Sequence, residues 1–138
     1  MFHKTTTCWA GGMIFESDNP SGNKFTMDSK PSDGTKQKGL SPKALMLSSL
    51  AGCTGIDIVD ILKKMKIKNY GLKIVVEGEL TDNHPKYYNS VNIKYYFSGD
   101  SIDSKKCRRA VELSVKKYCG VMEMFRQFAK VKTDILFH

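Results

Sequence analysis

Apolar and small residues fill every position from Ala44 to Ile56, and charge returns only at Asp57. Ser41 is a good helix N-cap, and Pro42 follows at the first helical position, where its missing N–H costs nothing. Beyond Asp57 the charges Asp60, Lys63, Lys64 and Lys66 interleave with Ile58, Ile61, Leu62 and Met65. This pattern predicts one long helix from Pro42 to about Lys66. Its first half should be buried on every side, and its lysine-rich end should emerge where it complements the helix dipole.

Alternation of period two takes over downstream. In "GLKIVVEGEL", Leu72, Ile74 and Val76 share one face while Lys73 and Glu77 take the other. In "SVNIKYYF" the apolar set is Val91, Ile93, Tyr95 and Phe97. The turn-rich link "TDNHPKYYN" joins them as a predicted hairpin. A second helix is predicted from about Ser104, capped by Asp103 or Ser104, to Tyr118; Gly120 then stops or kinks it. "VMEMFRQF" reads as a short amphipathic turn and "VKTDILF" as a last strand.

Upstream of the long helix, short strands are broken by turn chemistry. Thr5 to Trp9, Met13 to Glu16 and Lys24 to Asp28 are the strand segments, with Gly11-Gly12 and "SDNPSGN" between them. The polar "SKPSDGTKQKGLS" is a surface loop. The predicted order is β-β-β-α-β-β-α-α-β, an α+β protein in one domain over residues 1–138, with a long central helix on an antiparallel sheet.

Composition narrows the class. A hydrophobic fraction of 41% with 26% charged residues suits a packed core and excludes disorder. The N-terminal "MFHKTTTCWAGG" lacks a signal-peptide apolar run, and Ala44–Ile56 alone is too short to cross a bilayer at roughly 20 residues. A cytoplasmic protein without a membrane partner is expected. The net charge of +8 is mostly lysine spread along the chain. Lys105, Lys106, Arg108, Arg109, Lys116 and Lys117 cluster on the second helix, but no recognition motif accompanies them, so a nucleic-acid partner is disfavoured.

Cys8, Cys53, Cys107 and Cys119 form neither a CxxC motif nor zinc-ligand spacing. In a reducing compartment each is by default a small buried hydrophobe. Cys53 has unusual flanks: Ser49, Ala51, Gly52 and Gly55 surround it in mid-helix, where each glycine costs roughly 1 kcal/mol against alanine. Small residues there admit either another backbone or a small reactant beside sulfur.

"SPKALMLSSLAGCTGIDIVDILKKMK" resembles the signature of the OsmC/Ohr family of thiol-dependent peroxide reductases, and "VKKYCGVMEM" resembles that family's second element. The order of elements agrees along the chain. The resemblance implies that Cys53 is the peroxidatic thiolate, oxidised to a sulfenic acid by an organic hydroperoxide. It implies that Cys119 resolves it to a disulfide, which an external dithiol reopens. No metal or organic cofactor is implied, and an intertwined homodimer is. Met122, Met124 and Phe125, with "LMLSSLA", would give an apolar wall suited to organic hydroperoxides. Cys8 and Cys107 match neither motif and are read as structural.

The peroxidases of that family activate sulfur with an arginine from the N-terminal hairpin and a glutamate after the helix proline. Here no arginine precedes Arg108, and Lys43 or Ala44 takes the glutamate position. Arg126 or a partner chain's lysine is left to supply the charge, or Asp57 to orient a base. The alternative reading is a non-catalytic protein that keeps the fold and binds a small hydrophobic ligand.

Overall fold

In the computed structural model, which describes residues 1–138, the first elements are β1 (Thr7–Trp9), β2 (Phe15–Asp18) and β3 (Lys24–Met27). They form an antiparallel three-stranded sheet in sequential order, with Thr7 opposite Ser17 and Phe15 opposite Met27. The chain divides into two compact units, Met1–Met46 and Leu47–His138. Within the first, the polar loop after β3 returns to it: the Asp28 N–H donates to the Leu40 carbonyl at 3.0 Å and the Leu40 N–H to Thr26 at 2.9 Å. Gly39 makes that approach possible, because a Cβ there would lie 2.7 Å from the Thr26 carbonyl oxygen.

The long helix is α1 (Pro42–Lys64), starting where Pro42 predicts and ending two residues before Lys66. Lys66 and Asn69 take left-handed φ of 61° and 58°, and the Ile67 N–H closes the end on Leu62 O at 2.9 Å. Burial differs from expectation. Only Leu50, Thr54, Ile58 and Leu62, one stripe at i+4 spacing, are fully buried, while Ile56 is 73% exposed and Val59 48%. A helix lying on one sheet buries a single face against it. At 23 residues α1 is long and apolar enough to cross a bilayer by length and composition alone, and its stripe packs into the core shared with the sheet below.

That sheet joins β4 (Gly71–Leu80), β5 (Tyr88–Ser98) and β6 (Lys130–Phe137), in that order. The predicted hairpin is present, with Ile74 opposite Tyr95 and Val76 opposite Ile93. Val91, Ile93, Tyr95 and Phe97 point inward and are fully buried. The sheet is mixed rather than antiparallel throughout, because β6 lies parallel to β5. The crossover between them passes through helices and brings the chain back in the same direction.

The crossover begins with α2 (Ser104–Leu113), capped by Asp103, whose Oδ1 accepts the Lys106 N–H at 3.1 Å. The helix predicted to reach Tyr118 unwinds after Leu113 into a π-helical turn over Ser114–Tyr118, and α3 (Gly120–Arg126) follows. Cys107, Ala110 and Val111 of α2 and Met122 and Phe125 of α3 complete the core.

Candidate functional site

Cys53 stands half-buried on α1, beside the buried stripe. Cys119 occupies the junction between the π-helical turn and α3 and is 3% exposed. Both thiols are free, and Cys53 lies close enough to Cys119 to help push that thiol's pKa up. The fold thus brings together two sulfurs that lie 66 positions apart in the chain. Cys107 is buried in the core of α2, whereas Cys8 is exposed on β1, where the default reading had placed a buried residue.

The π-helical turn positions Cys119. Its N–H donates to the Ser114 carbonyl at 2.9 Å, five residues back, and its backbone then turns extended at φ −76°, ψ 104°. The sulfur is aimed down the axis of α3 and accepts the Met122 N–H at 3.3 Å. Without the wider turn, position 119 would continue the helix of α2.

A chain of buried hydroxyls ties this turn to α1 and β5. Ser114 Oγ donates to Asp57 Oδ2 at 2.9 Å and lies 2.8 Å from Thr54 Oγ1, which is 3.0 Å from the Tyr95 hydroxyl. Thr54, Ser114 and Tyr95 are all fully buried. The sequence reading passed over these three residues and counted Tyr95 among the apolar strand positions. Two signals could have found them: a threonine in an otherwise apolar tract, and a serine continuing the Cys107, Ala110, Val111 spacing of the buried face of α2.

Burial dominates the electrostatics. It pushes the Cys119 thiol from an ordinary 9 to about 12; the Met122 N–H opposes the rise, and Cys53 and Asp57 add to it. Tyr95 is pushed up to about 12 by burial, with the Thr54 hydrogen bond opposing and Cys119 and Asp57 contributing. Both groups hold their protons at neutral pH.

No cation acts on Cys119. Arg126 is engaged elsewhere: its Nε and Nη2 donate to Glu123 Oε2 at 3.1 and 2.7 Å, and its Nη1 donates to the Val115 carbonyl at 2.7 Å. It braces the π-helical turn rather than the sulfurs. Lys64 pairs with Asp60 at 2.8 Å. On α2, Arg109 and the neighbouring Lys116 approach the same Glu112, at 3.6 and 3.3 Å.

The expected apolar wall is differently made. Met122 and Phe125 are core residues, and Met124 is 64% exposed. A cleft of about 490 Å³ lies instead between α1 and the π-helical turn, lined by Asp57, Asp60, Ile61, Lys64, Met65, Leu113 and Tyr118. No group of three His, Cys, Asp or Glu side chains is placed to hold a metal ion.

Known proteins resemble this chain in sequence or in fold. Protein YhfA of Escherichia coli strain K12 is 28% identical over 123 residues, which is 89% of each chain. A hypothetical protein from Aquifex aeolicus VF5 superposes with a TM-score of 0.81 at 28% identity, over 100% of this chain and 98% of that one. The organic hydroperoxide resistance protein OhrB of Bacillus subtilis shares the fold, with a TM-score of 0.64 at 18% identity over 98% of both chains. Residues 34–134 match the family model described as OsmC-like protein, and this chain belongs to that family.

Proposed function

We propose that this protein is a two-cysteine thiol oxidoreductase of the cytoplasm that reduces organic hydroperoxides at the expense of a dithiol. The observation that carries the reading is the nearness of the Cys53 thiol to Cys119, on whose proton it acts. The family and the name of its B. subtilis member, an organic hydroperoxide resistance protein, support the choice of oxidant.

Within the pair the roles divide by burial. Cys119 retains its proton, so Cys53, which is less buried, is the attacking sulfur. The Cys53 thiolate takes the outer oxygen of the hydroperoxide. The S–O bond forms as the O–O bond breaks, and the departing alkoxide gains a proton to become an alcohol. Cys119 then displaces hydroxide from the Cys53 sulfenic acid, and an external dithiol reduces the disulfide.

The chain acts as a homodimer in this proposal. The exposed face of α1 at Ile56 and Val59 adjoins Leu72 and Ile74 across an open apolar hollow of about 700 Å³, the kind of patch that subunits cover.

The test is consumption of cumene hydroperoxide with dithiothreitol or dihydrolipoamide. Wild type should turn over, Cys53→Ser should be inactive, and Cys119→Ser should accumulate a Cys53 sulfenic acid that dimedone traps. A second reading, a non-catalytic protein binding a small hydrophobic ligand, draws on the charge around the thiols: the groups acting on Cys119 are Cys53 and Asp57, both acidic. No hydroperoxide loss with either dithiol would remove the first reading in favour of the second.

A further inference from the structure

Disulfide closure raises a proton problem that proximity of the sulfurs does not solve. To attack a sulfenic acid on Cys53, the Cys119 sulfur must give up its proton. At 3% exposure it offers solvent base almost no approach, and the one backbone group bonded to its sulfur, the Met122 N–H, is a donor that cannot take a proton. Some protein group must take that proton.

We propose that Asp57 is the proton carrier for disulfide closure, accepting the Cys119 proton and returning it to the hydroxide that leaves Cys53. The inference rests on the redox reading above.

Three features of the fold place it there. Asp57 follows Cys53 by one helical turn on the same face of α1, a spacing that sets their Cβ atoms roughly 6 Å apart. Ser114 ties the carboxylate to Cys119 from the other side: its Oγ donates to Asp57 Oδ2 at 2.9 Å while its carbonyl accepts the Cys119 N–H at 2.9 Å. Asp57 is half-buried and lines the cleft, so it meets solvent there, and its charge reaches the Cys119 thiol.

The hydroxyl chain has only one consistent polarity. A carboxylate can only accept, so Ser114 donates to Asp57, Thr54 donates to Ser114, and Tyr95 donates to Thr54. Three buried donors in series therefore hold one carboxylate oxygen in place and leave the other available for proton exchange. Tyr95, kept protonated by burial, anchors the far end. The other titratable groups facing Asp57 are Cys53 and Cys119 within the site, and Asp60, Lys64 and Tyr118 in the cleft, where Lys64 is paired with Asp60.

The step balances. Cys119–SH and Cys53–S–OH become Cys53–S–S–Cys119 and water. The S–S bond forms as the S–O bond breaks, with the electron pair leaving on hydroxide. The Cys119 proton passes to the Asp57 carboxylate and then to that hydroxide, so Asp57 is left as it was at the start of the step. The hydroperoxide consumed in the preceding step is the only oxidant.

The experiment treats the reduced full-length protein with one equivalent of cumene hydroperoxide and follows closure by quenched-flow mass spectrometry between pH 6 and 10. Asp57→Asn should close about 100-fold slower near pH 7, the scale of a lost general base. Its rate should climb about tenfold per pH unit as hydroxide takes over deprotonation, while wild type stays much flatter. Formate should restore closure to Asp57→Ala, and wild-type closure should slow in deuterium oxide, a readout that needs no variant to fold. Asp57→Asn closing at the wild-type rate and pH profile would overturn the role and leave the redox reading standing. So would slow closure with neither a steep pH profile nor formate rescue, or wild-type closure unchanged in deuterium oxide. If Cys119→Ser yields no dimedone adduct at Cys53, the redox reading itself fails and this inference with it.

Discussion

Replacing Thr54 by valine removes one oxygen from the buried hydroxyl chain and almost no volume, so its cost isolates the polar contribution. Thr54 and Tyr95 are both fully buried, and the Tyr95 hydroxyl has Thr54 Oγ1 as its hydrogen-bond partner at 3.0 Å. In the variant that hydroxyl is stranded without protein or solvent partner, which costs about 1–3 kcal/mol. Loss of the 2.8 Å bond to Ser114 adds about 1 kcal/mol, since Ser114 keeps Asp57. The expected loss is about 2–4 kcal/mol. At a urea slope of about 2 kcal/mol per molar, the midpoint should fall by about 1–2 M under reducing conditions and fixed protein concentration. Tyr95→Phe removes the stranded group, so the double variant Thr54→Val/Tyr95→Phe should recover at least about 1 kcal/mol relative to Thr54→Val. A Thr54→Val midpoint within about 0.5 kcal/mol of wild type would refute the chain as a structural element. Costs that simply add in the double variant would do the same.

Oxidation of the Cys53–Cys119 pair closes a loop of about 66 residues, worth roughly 4 kcal/mol through the unfolded state if the bridge forms without strain; urea midpoints of the oxidised and reduced protein should differ accordingly, and those of Cys119→Ser should not. Because burial holds the folded-state thiol of Cys119 at about 12 against an ordinary 9, its contribution to stability is intact below pH 9 and is lost as pH rises toward 12. Tyr95 acts in the same direction above pH 10. Cys119→Ser should therefore show a shallower decline in urea midpoint between pH 9 and 11 than wild type, and equal slopes would contradict this. Gly39→Ala sets a Cβ 2.7 Å from the Thr26 carbonyl oxygen, and the local overpacking should cost about 1–3 kcal/mol. Hydrogen exchange at the Asp28 and Leu40 amides should accelerate, while the core of β5 should be unaffected.

Much of the architecture was legible because it rests on local rules. The Ser41-Pro42 start, the period-two alternation of Leu72, Ile74 and Val76, and the Asp103 cap are each decided by a few neighbouring residues. The errors arose where a neighbour in space decides. The uniform apolarity of Ala44–Ile56 suggested burial on every side, but one sheet under α1 covers only the Leu50, Thr54, Ile58, Leu62 stripe. The break in the second helix was also hidden. "SVKKY" is unremarkable as helix, and its π-helical form is held by tertiary bonds such as Arg126 to the Val115 carbonyl. The parallel strand β6 depends on a crossover whose return direction local pattern does not encode.

What the sequence determined by itself is the series of elements and the two cysteine motifs, because helix caps, alternation and residue spacing are written in adjacent positions. Tertiary structure alone decided that Cys53 and Cys119 meet, that Cys119 keeps its proton, and that three hydroxyls from β5, α1 and the π-helical turn form a series ending on Asp57. The physical reason is that desolvation and hydrogen bonding depend on which atoms displace water around a group, and those atoms come from distant parts of the chain.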